Sequence, residues 1–574
     1  FADAWLSQAG AYADLKNYNA SVTSFKAALK IDSAYFGDFF LPYSISLAGT
    51  GAFQKALDAV NIFLADPQIN DRSRKAGEYR KSCYEFAIEY DKTHNNSNYV
   101  FKPINLGDSI NTSVSEYFPS LTIDANELVF TRRVKGINED FFVATKKNNQ
   151  WSKAVPLAGN INTEMNEGAQ NISQDGKMLV FTGCNFPGGS GSCDLYYSTQ
   201  TPKGWSEPLN FSDPINTEFW ESQPCLSPDK RFLYFTARDP SGLGGSDIWI
   251  SEHLPDGTWK NPVNLGPNIN TPGNESCPFI HADNQTLYFT SDALPGYGGS
   301  DLFVVRKDSA GKWGKPENLG YPINTIGDEG TLVITADGKT AYYSSDMPDT
   351  KGGLDIYSFE LRNDIRPFKT FWVKGNVYDK KTKAGLPSTV ELLDLKTGQN
   401  ISKLQTDESG NYLITLPVGK DYAFNVNRKG YLFYSDNFSL SKNPVDSVYT
   451  KDIPLQPIEL NANIVLKNIF FDTKKFDLKP ESMVELDKVV QLMKDNPNIK
   501  ILISGHTDNV GKPQDNLVLS NARAKSAINY LLYKGIRIER LQWKGFGSTK
   551  PVADNKTEAG RAQNRRTELT VVGL

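Results

Sequence analysis

INTPGNESCPFIHADNQTLYFTSDALPGYGGSDLFVV, residues 269–305, is one copy of a unit written five times. The tripeptide Ile-Asn-Thr begins at 110, 161, 215, 269 and 323, giving steps of 51, 54, 54 and 54. A glutamate follows in register at 116, 167, 221, 275 and 329, and an aspartate precedes two apolar residues at 140, 194, 247, 301 and 355. Between these markers lie strand signatures such as RFLYFTA, TLYFTSD and TAYYSSD, then glycine turns such as GLGGSD and GYGGSD. A unit of about 50 residues made of several short strands is a propeller blade.

Each full unit also closes on a tryptophan and proline segment: WSKAVPLAGNINT, WSEPLNFSDPINT, WKNPVNLGPNINT, WGKPENLGYPINT. This pattern resembles the WD40-like (PD40), TolB-type repeats and implies a five-bladed β-propeller over residues 98–365; a sixth blade built partly from flanking sequence stays open. The in-register acids have two readings. They could ring a central channel with charge, or cap backbone amides at the same place in every blade, and repeat geometry favours the cap. The SxDxGxxW boxes of sialidases are absent from the sequence.

Residues 1–97 carry helical periodicity and an internal echo. Tyr18, Ser21 and Phe25 recur 35 residues later as Phe53, Ala56 and Val60. Small residues where paired helices cross, with aromatics filling the groove, resemble tetratricopeptide (TPR) repeats, which stack and leave a concave surface free. The chain opens at FADAWLSQAG, inside a helical pattern without an initiator Met or a signal-peptide pattern, so a processed or trimmed start is expected.

With 62 basic against 66 acidic residues, the 574-residue chain offers no global electrostatic case for nucleic acid, and no partner of that kind is expected. Its length exceeds one hydrophobic core. No apolar run of about 18 residues exists, so no transmembrane segment is expected. Cys83, Cys184, Cys193, Cys225 and Cys277 form neither a CxxC pair nor a His/Cys cluster, which argues against zinc, and no metal or cofactor is expected. Cys184 and Cys193, flanking FPGGSGS, either close a short disulfide loop or stay small buried thiols.

Residues 370–458 show short alternating strands separated by DKKTKAG, LKTGQN and DESGNY, the pattern of a small β-sandwich. They resemble the carboxypeptidase regulatory-like domain, a transthyretin-like fold. No His/Glu metal set accompanies them, so a spacer is expected. Residues 459–574 alternate strand and helix, with Pro480 starting one helix and Gly535 ending another, which predicts an α/β sandwich.

Within that last region FFDTKKFDLKP, GHTDNVG, NLVLSNARA and GRAQNRR occur in order across about 115 residues. They resemble the OmpA C-terminal peptidoglycan-binding domain. That resemblance implies a grip on the side-chain terminus of diaminopimelate in the cell-wall stem peptide, with Asp508 taking its ammonium and Arg523 its carboxylate. Thr507 and Asn516 are the implied neutral partners, Leu517 belongs to the same implied binding set, and Lys474 stands where the family often has Asn. Arg565 and Arg566 either approach the ligand or close the fold.

The residues support this independently. ILIS is a strand run ending at Gly505, which puts Asp508 in the loop just beyond it. In the following helix Leu517, Ala524, Ile528 and Leu531 repeat at helical spacing and should face the core. Asn516, Ser520 and Arg523 form the neighbouring stripe, which can aim Arg523 at the Asp508 loop. A guanidinium fork matches a carboxylate and a carboxylate accepts from an ammonium, so the pair suits a zwitterion. His506, Asp508 and Ser520 also invite a hydrolytic-triad reading. Ser520 lies within the helix, without a strained turn or a glycine-rich elbow, so catalytic residues are not expected: His506 should orient the loop and Ser520 should pack or bond to backbone.

The order helical repeat, propeller, regulatory-like sandwich, OmpA-type domain resembles OmpA-family proteins of the type IX secretion system. It implies a non-catalytic anchor in the periplasm, associated with the outer membrane and lipidated upstream, that binds peptidoglycan and tethers secretion-system or gliding proteins through its helices and propeller. An accessory module whose propeller captures a glycan or secreted substrate is the alternative, and a cell-wall hydrolase comes last.

Overall fold

Five helices occupy the first 93 residues in a computed structural model that describes residues 1–94, 99–134, 136, 138–254, 256–308, 310–439 and 449–574. They run Ala2–Asp14, Tyr18–Ile31, Phe40–Gly49, Phe53–Leu64 and Asp71–Thr93. Asn17 and Asn70 cap the second and fifth, accepting from Ala20 N at 3.2 Å and Ser73 N at 2.8 Å. Small residues stand where helices cross: Ser21 donates to Ala9 O at 2.8 Å and meets Ser46 Oγ at 2.9 Å. At Gly77 a methyl group would come within 2.8 Å of Leu64. The expected domain boundary between residues 97 and 98 lies outside the described residues.

The repeat region folds as five antiparallel sheets, and the reason for the period lies in its polar markers. Each Ile-Asn-Thr glutamate caps its own turn. Glu116 accepts from Thr112 N at 3.0 Å and Thr112 Oγ1 at 2.6 Å, and Glu275 from Thr271 N and Oγ1 at 2.7 Å each. Glu167, Glu221 and Glu329 do the same with Thr163, Thr217 and Thr325. The asparagine of the tripeptide acts as a stretch of false strand. Asn270 accepts from Ile248 N at 2.8 Å and donates to Ile248 O at 3.0 Å, and Asn111, Asn162, Asn216 and Asn324 clamp Ile356, Phe141, Leu195 and Leu302 alike. Asp194, Asp247, Asp301 and Asp355 close the glycine turns, as Asp247 does by accepting from Leu243 N at 2.5 Å.

The first strands of successive sheets pack in order, Glu116–Leu121 on Asn166–Ile172, then Glu221–Leu226, Glu275–Ile280 and Leu332–Ile334, the last of which touches Glu116–Leu121 again. Ile104–Asn105, from before the first repeat, pairs with Asp355–Glu360 and so completes the last sheet. Four of these first strands bulge at Phe118, Ala169, Gln223 and Cys277, whose φ values are 47°, 47°, 54° and 52°. The bulges surround a cavity of about 30 Å³. Gln170 donates to Phe118 O at 2.7 Å and Gln223 accepts from Cys277 N at 2.9 Å, so adjacent sheets are bonded around it. Cys184 and Cys193 form a disulfide across the second sheet, while Cys83, Cys225 and Cys277 are free thiols.

Helices and sheets share one compact unit, Phe1–Lys369. Tyr297 is fully buried among Phe53, Phe86 and Tyr90, and Tyr90 donates to Asn318 O at 2.8 Å while accepting from Arg362 at 2.8 Å.

The second unit, Thr370–Leu574, begins with two four-stranded sheets facing across Val373, Val377, Val390, Leu392, Ile414 and Phe424. Its remainder is a four-stranded sheet in the order Asn463–Leu466, Thr567–Gly573, Lys500–Gly505, Leu541–Gly545, backed by helices Met483–Asp495 and Pro513–Tyr533. Pro480 opens the 3-10 turn that feeds the first helix, and Gly535, at φ 87°, follows the second. The two parts are joined inside this unit: Leu432 and Phe433 sit in the same core as Leu486, Ile501 and Ile528, and the buried Glu485 accepts from Ser435 at 2.6 Å and Asn468 at 3.0 Å. No described helix is long and apolar enough to cross a membrane.

Candidate ligand-binding site

Strand Lys500–Gly505 runs into a short loop whose backbone is pinned on both sides: His506 N donates to Arg566 O and Thr507 N to Gly547 O, each at 2.9 Å. Asp508 follows, only 8% exposed. Helix Pro513–Tyr533 lies flush on the strand ends, because Gly505 and Gly545 present no side chain to it; a methyl group at either would meet backbone atoms of the helix at 2.2 or 2.3 Å. Asn516 holds the loop by donating to Asp508 O at 3.3 Å and Val510 O at 3.1 Å. Thr507 Oγ1 donates to Asp508 O at 2.9 Å. Both neutral residues thus shape the loop.

The Asp508 carboxylate accepts from Arg565 Nη1 at 2.7 Å, and Arg565 Nη2 reaches Glu558 at 2.8 Å. Those two acids, Asp508 foremost, hold the Arg565 guanidinium above its usual range. Arg523 instead donates to Lys475 O at 2.9 Å and Asp472 O at 3.1 Å and lies over the Phe471 ring at 4.8 Å. Burial, with the charge of Arg565 added to it, holds the Arg523 guanidinium below its ordinary value. Arg566 is turned into the fold, donating to Glu568 at 2.6 Å and Lys550 O at 3.2 Å. Lys474 adopts φ 60°, a left-handed backbone that asparagine tolerates better than lysine.

Leu517 departs from the expected core stripe. Ala524, Ile528 and Leu531 are buried, but Leu517 is 42% exposed, since it sits in the helix's first turns, beyond the edge of the sheet that covers the others. Ser520 is fully buried; it donates to Leu517 O at 3.0 Å and accepts from Gly547 N at 2.9 Å. His506 stacks on Phe546 at 5.3 Å and faces Glu568 at 3.5 Å. His506, with Arg566 beside it, pushes the Glu568 carboxyl down to about 2. The serine therefore bonds to backbone, and the histidine faces a different acid from the one a triad would use.

Arg523, Arg565, Arg566 and His506 line one cleft of about 540 Å³, whose apolar wall includes Phe471, Ile469 and Val552. A volume of that size accommodates a small peptide-like ligand. The pairing of Asp508 with Arg565 spans 57 residues of sequence and has no periodic signature; only the GRAQNRR motif pointed to Arg565 at all.

Residues 470–565 match the model of the OmpA family, and this part of the chain is an OmpA-family domain. Outer membrane protein A of Bordetella avium is 40% identical over 119 residues, covering 21% of this chain and 61% of that protein. The peptidoglycan-binding protein ArfA of Mycobacterium tuberculosis is 37% identical over 103 residues, covering 18% of this chain and 32% of that protein. The matched stretches take in less than two thirds of either relative. A crystal structure of the peptidoglycan-associated lipoprotein from Burkholderia pseudomallei shows 32% identity over 18% of this chain and 87% of that one, with a TM-score of 0.17.

Proposed function

We propose that this chain is a non-catalytic, PorE-like anchor of the periplasm and outer membrane: its C-terminal domain binds the diaminopimelate of the peptidoglycan stem peptide, and its helices and repeat sheets tether an outer-membrane secretion or gliding complex of the type IX class. One observation carries the wall-binding half. An aspartate at a strand end and two arginines, one on the facing helix, converge beside a single cleft. Arg565 Nη1 donates to Asp508 at 2.7 Å. A ligand ammonium takes that place, and the ligand carboxylate meets the guanidinium of Arg523, whose burial favours a bound anion over water.

In this reading the four parts are a TPR-like helical repeat at 1–97, a five-bladed propeller at 98–365, a regulatory-like sandwich at 370–458 and the OmpA-type domain at 459–574. Support for the propeller is the cyclic packing of the five first strands and the completion of the last sheet by Ile104–Asn105. The alternative, in which the propeller captures a glycan or secreted substrate, draws no support from the cavity among the bulged strands, which holds only about 30 Å³. The tethering partners rest on the order of the parts alone.

Asp508→Ala and Arg523→Ala are expected to abolish co-sedimentation of the full chain with purified peptidoglycan while the circular dichroism spectrum stays unchanged. Undiminished sedimentation of both variants overturns the assignment.

A further inference from the structure

The cleft beside Asp508 is larger and more positive than a single zwitterionic side chain requires. Lys467, Arg523, Arg565 and Arg566 all line it, and no aspartate or glutamate does among the described residues. The acids stand behind the cations: Asp508 and Glu558 hold Arg565, Glu568 holds Arg566, and Asp436 meets Lys467 at 3.2 Å. Each acid fixes its cation at the cleft wall and offsets part of its charge, while Lys467 and Arg565, 44% and 40% exposed, keep N–H groups turned to solvent.

One side of the cleft comes from outside the OmpA-type fold. Asn437, on strand Tyr434–Ser439 of the sandwich, lines it together with Lys467, which follows strand Asn463–Leu466. The neighbouring Asp436 binds both Lys451 and Lys467, fixing the sandwich strand against the α/β sheet at this point. Lys467 remains 44% exposed at its side chain, so its ammonium can reach a ligand without leaving Asp436.

We propose that the wall-binding site extends onto the sandwich, where Lys467 and Asn437 take a carboxylate from another residue of the same stem peptide, the α-carboxylate of its γ-linked D-glutamyl unit, while Asp508 and Arg523 hold the diaminopimelate terminus. This rests on the function proposed above. The sandwich then serves recognition as well as spacing, and the chain reads a longer anionic peptide than diaminopimelate alone. A lysine salt bridge assisted by an amide donor at a half-desolvated site corresponds to about a tenfold gain in affinity.

Calorimetric titration of the full chain with two probes, free meso-diaminopimelate and the tripeptide L-Ala-γ-D-Glu-meso-diaminopimelate, tests it. The tripeptide is expected to bind about tenfold more tightly than the free amino acid. Lys467→Met and Asn437→Ala should weaken the tripeptide and leave free diaminopimelate unchanged, and Lys467→Arg, which keeps both the charge and the bond to Asp436, should retain tripeptide affinity. Equal affinity of the wild-type chain for both probes, or tripeptide binding unchanged in Lys467→Met, overturns the extension. Asp508→Ala binding both probes as the wild type does would instead overturn the underlying assignment, so the two failures are distinguishable.

Discussion

At the scale of single residues, the carboxylates that recur with the repeat are structural bonds. Glu275 is fully buried and collects three donors, Thr271 N, Thr271 Oγ1 and Ser291 Oγ, the last at 2.6 Å. Glu275→Ala leaves these without an acceptor and is expected to cost about 2–4 kcal/mol, read as a lowered unfolding transition of the first unit in calorimetry. The sequence made the glutamate legible because a strict period exposes any residue it preserves. The role of the tripeptide asparagine was not legible, because its partners lie 21 or 22 residues back in four repeats and across the chain at Ile356 in the fifth, and nothing local marks a side chain that imitates a strand. In the candidate site, Asp508 and Arg523 could be located from motif and helix phase, whereas the Arg565 pairing could not. Lys474 adds a smaller test: at φ 60° it is strained, and Lys474→Asn is expected to stabilise the second unit by up to about 1 kcal/mol in urea unfolding.

At the scale of elements, two contacts decide how the working parts are held. The first is the seating of helix Pro513–Tyr533 on strands Lys500–Gly505 and Leu541–Gly545. Gly505→Ala places a methyl group 2.2 Å from Ser520 O, a backbone atom that cannot turn away. It should destabilise the second unit by more than about 2 kcal/mol and lower peptidoglycan binding with it. The second is the buried pair Asp301 and Glu329 beneath the long helix of the first unit. Burial raises both carboxyls far above the ordinary carboxylate range, and the charge of Asp301 raises Glu329 further. Acids raised on folding bind protons that the unfolded chain has released. Stability of the first unit should therefore fall as pH rises from about 4.5 to about 8 and level off beyond. Thermal unfolding across that range checks it, and Glu329→Gln should flatten the slope. Periodicity revealed both acids but not their proximity, since they come from successive repeats and meet only where two sheets abut.

At the scale of the whole molecule, the chain consists of two compact units with the division between Lys369 and Thr370. The proposed division of labour follows that line: everything assigned to the cell wall, including the sandwich residues Asn437 and Lys467, lies in the second, and the surfaces assigned to protein partners lie in the first. Tethering in this sense needs no communication between the two, only a covalent link that raises the local concentration of each ligand for the other. Residues 370–574 made as a separate chain are accordingly expected to fold with their own cooperative transition and to sediment with peptidoglycan as tightly as the full chain, while residues 1–369 stay in the supernatant. A second unit that folds but binds more weakly than the full chain would mean that the first unit also grips the wall. The propeller and helices would then belong to the recognition surface, and the division between anchor and tether at residue 369 would have to be abandoned.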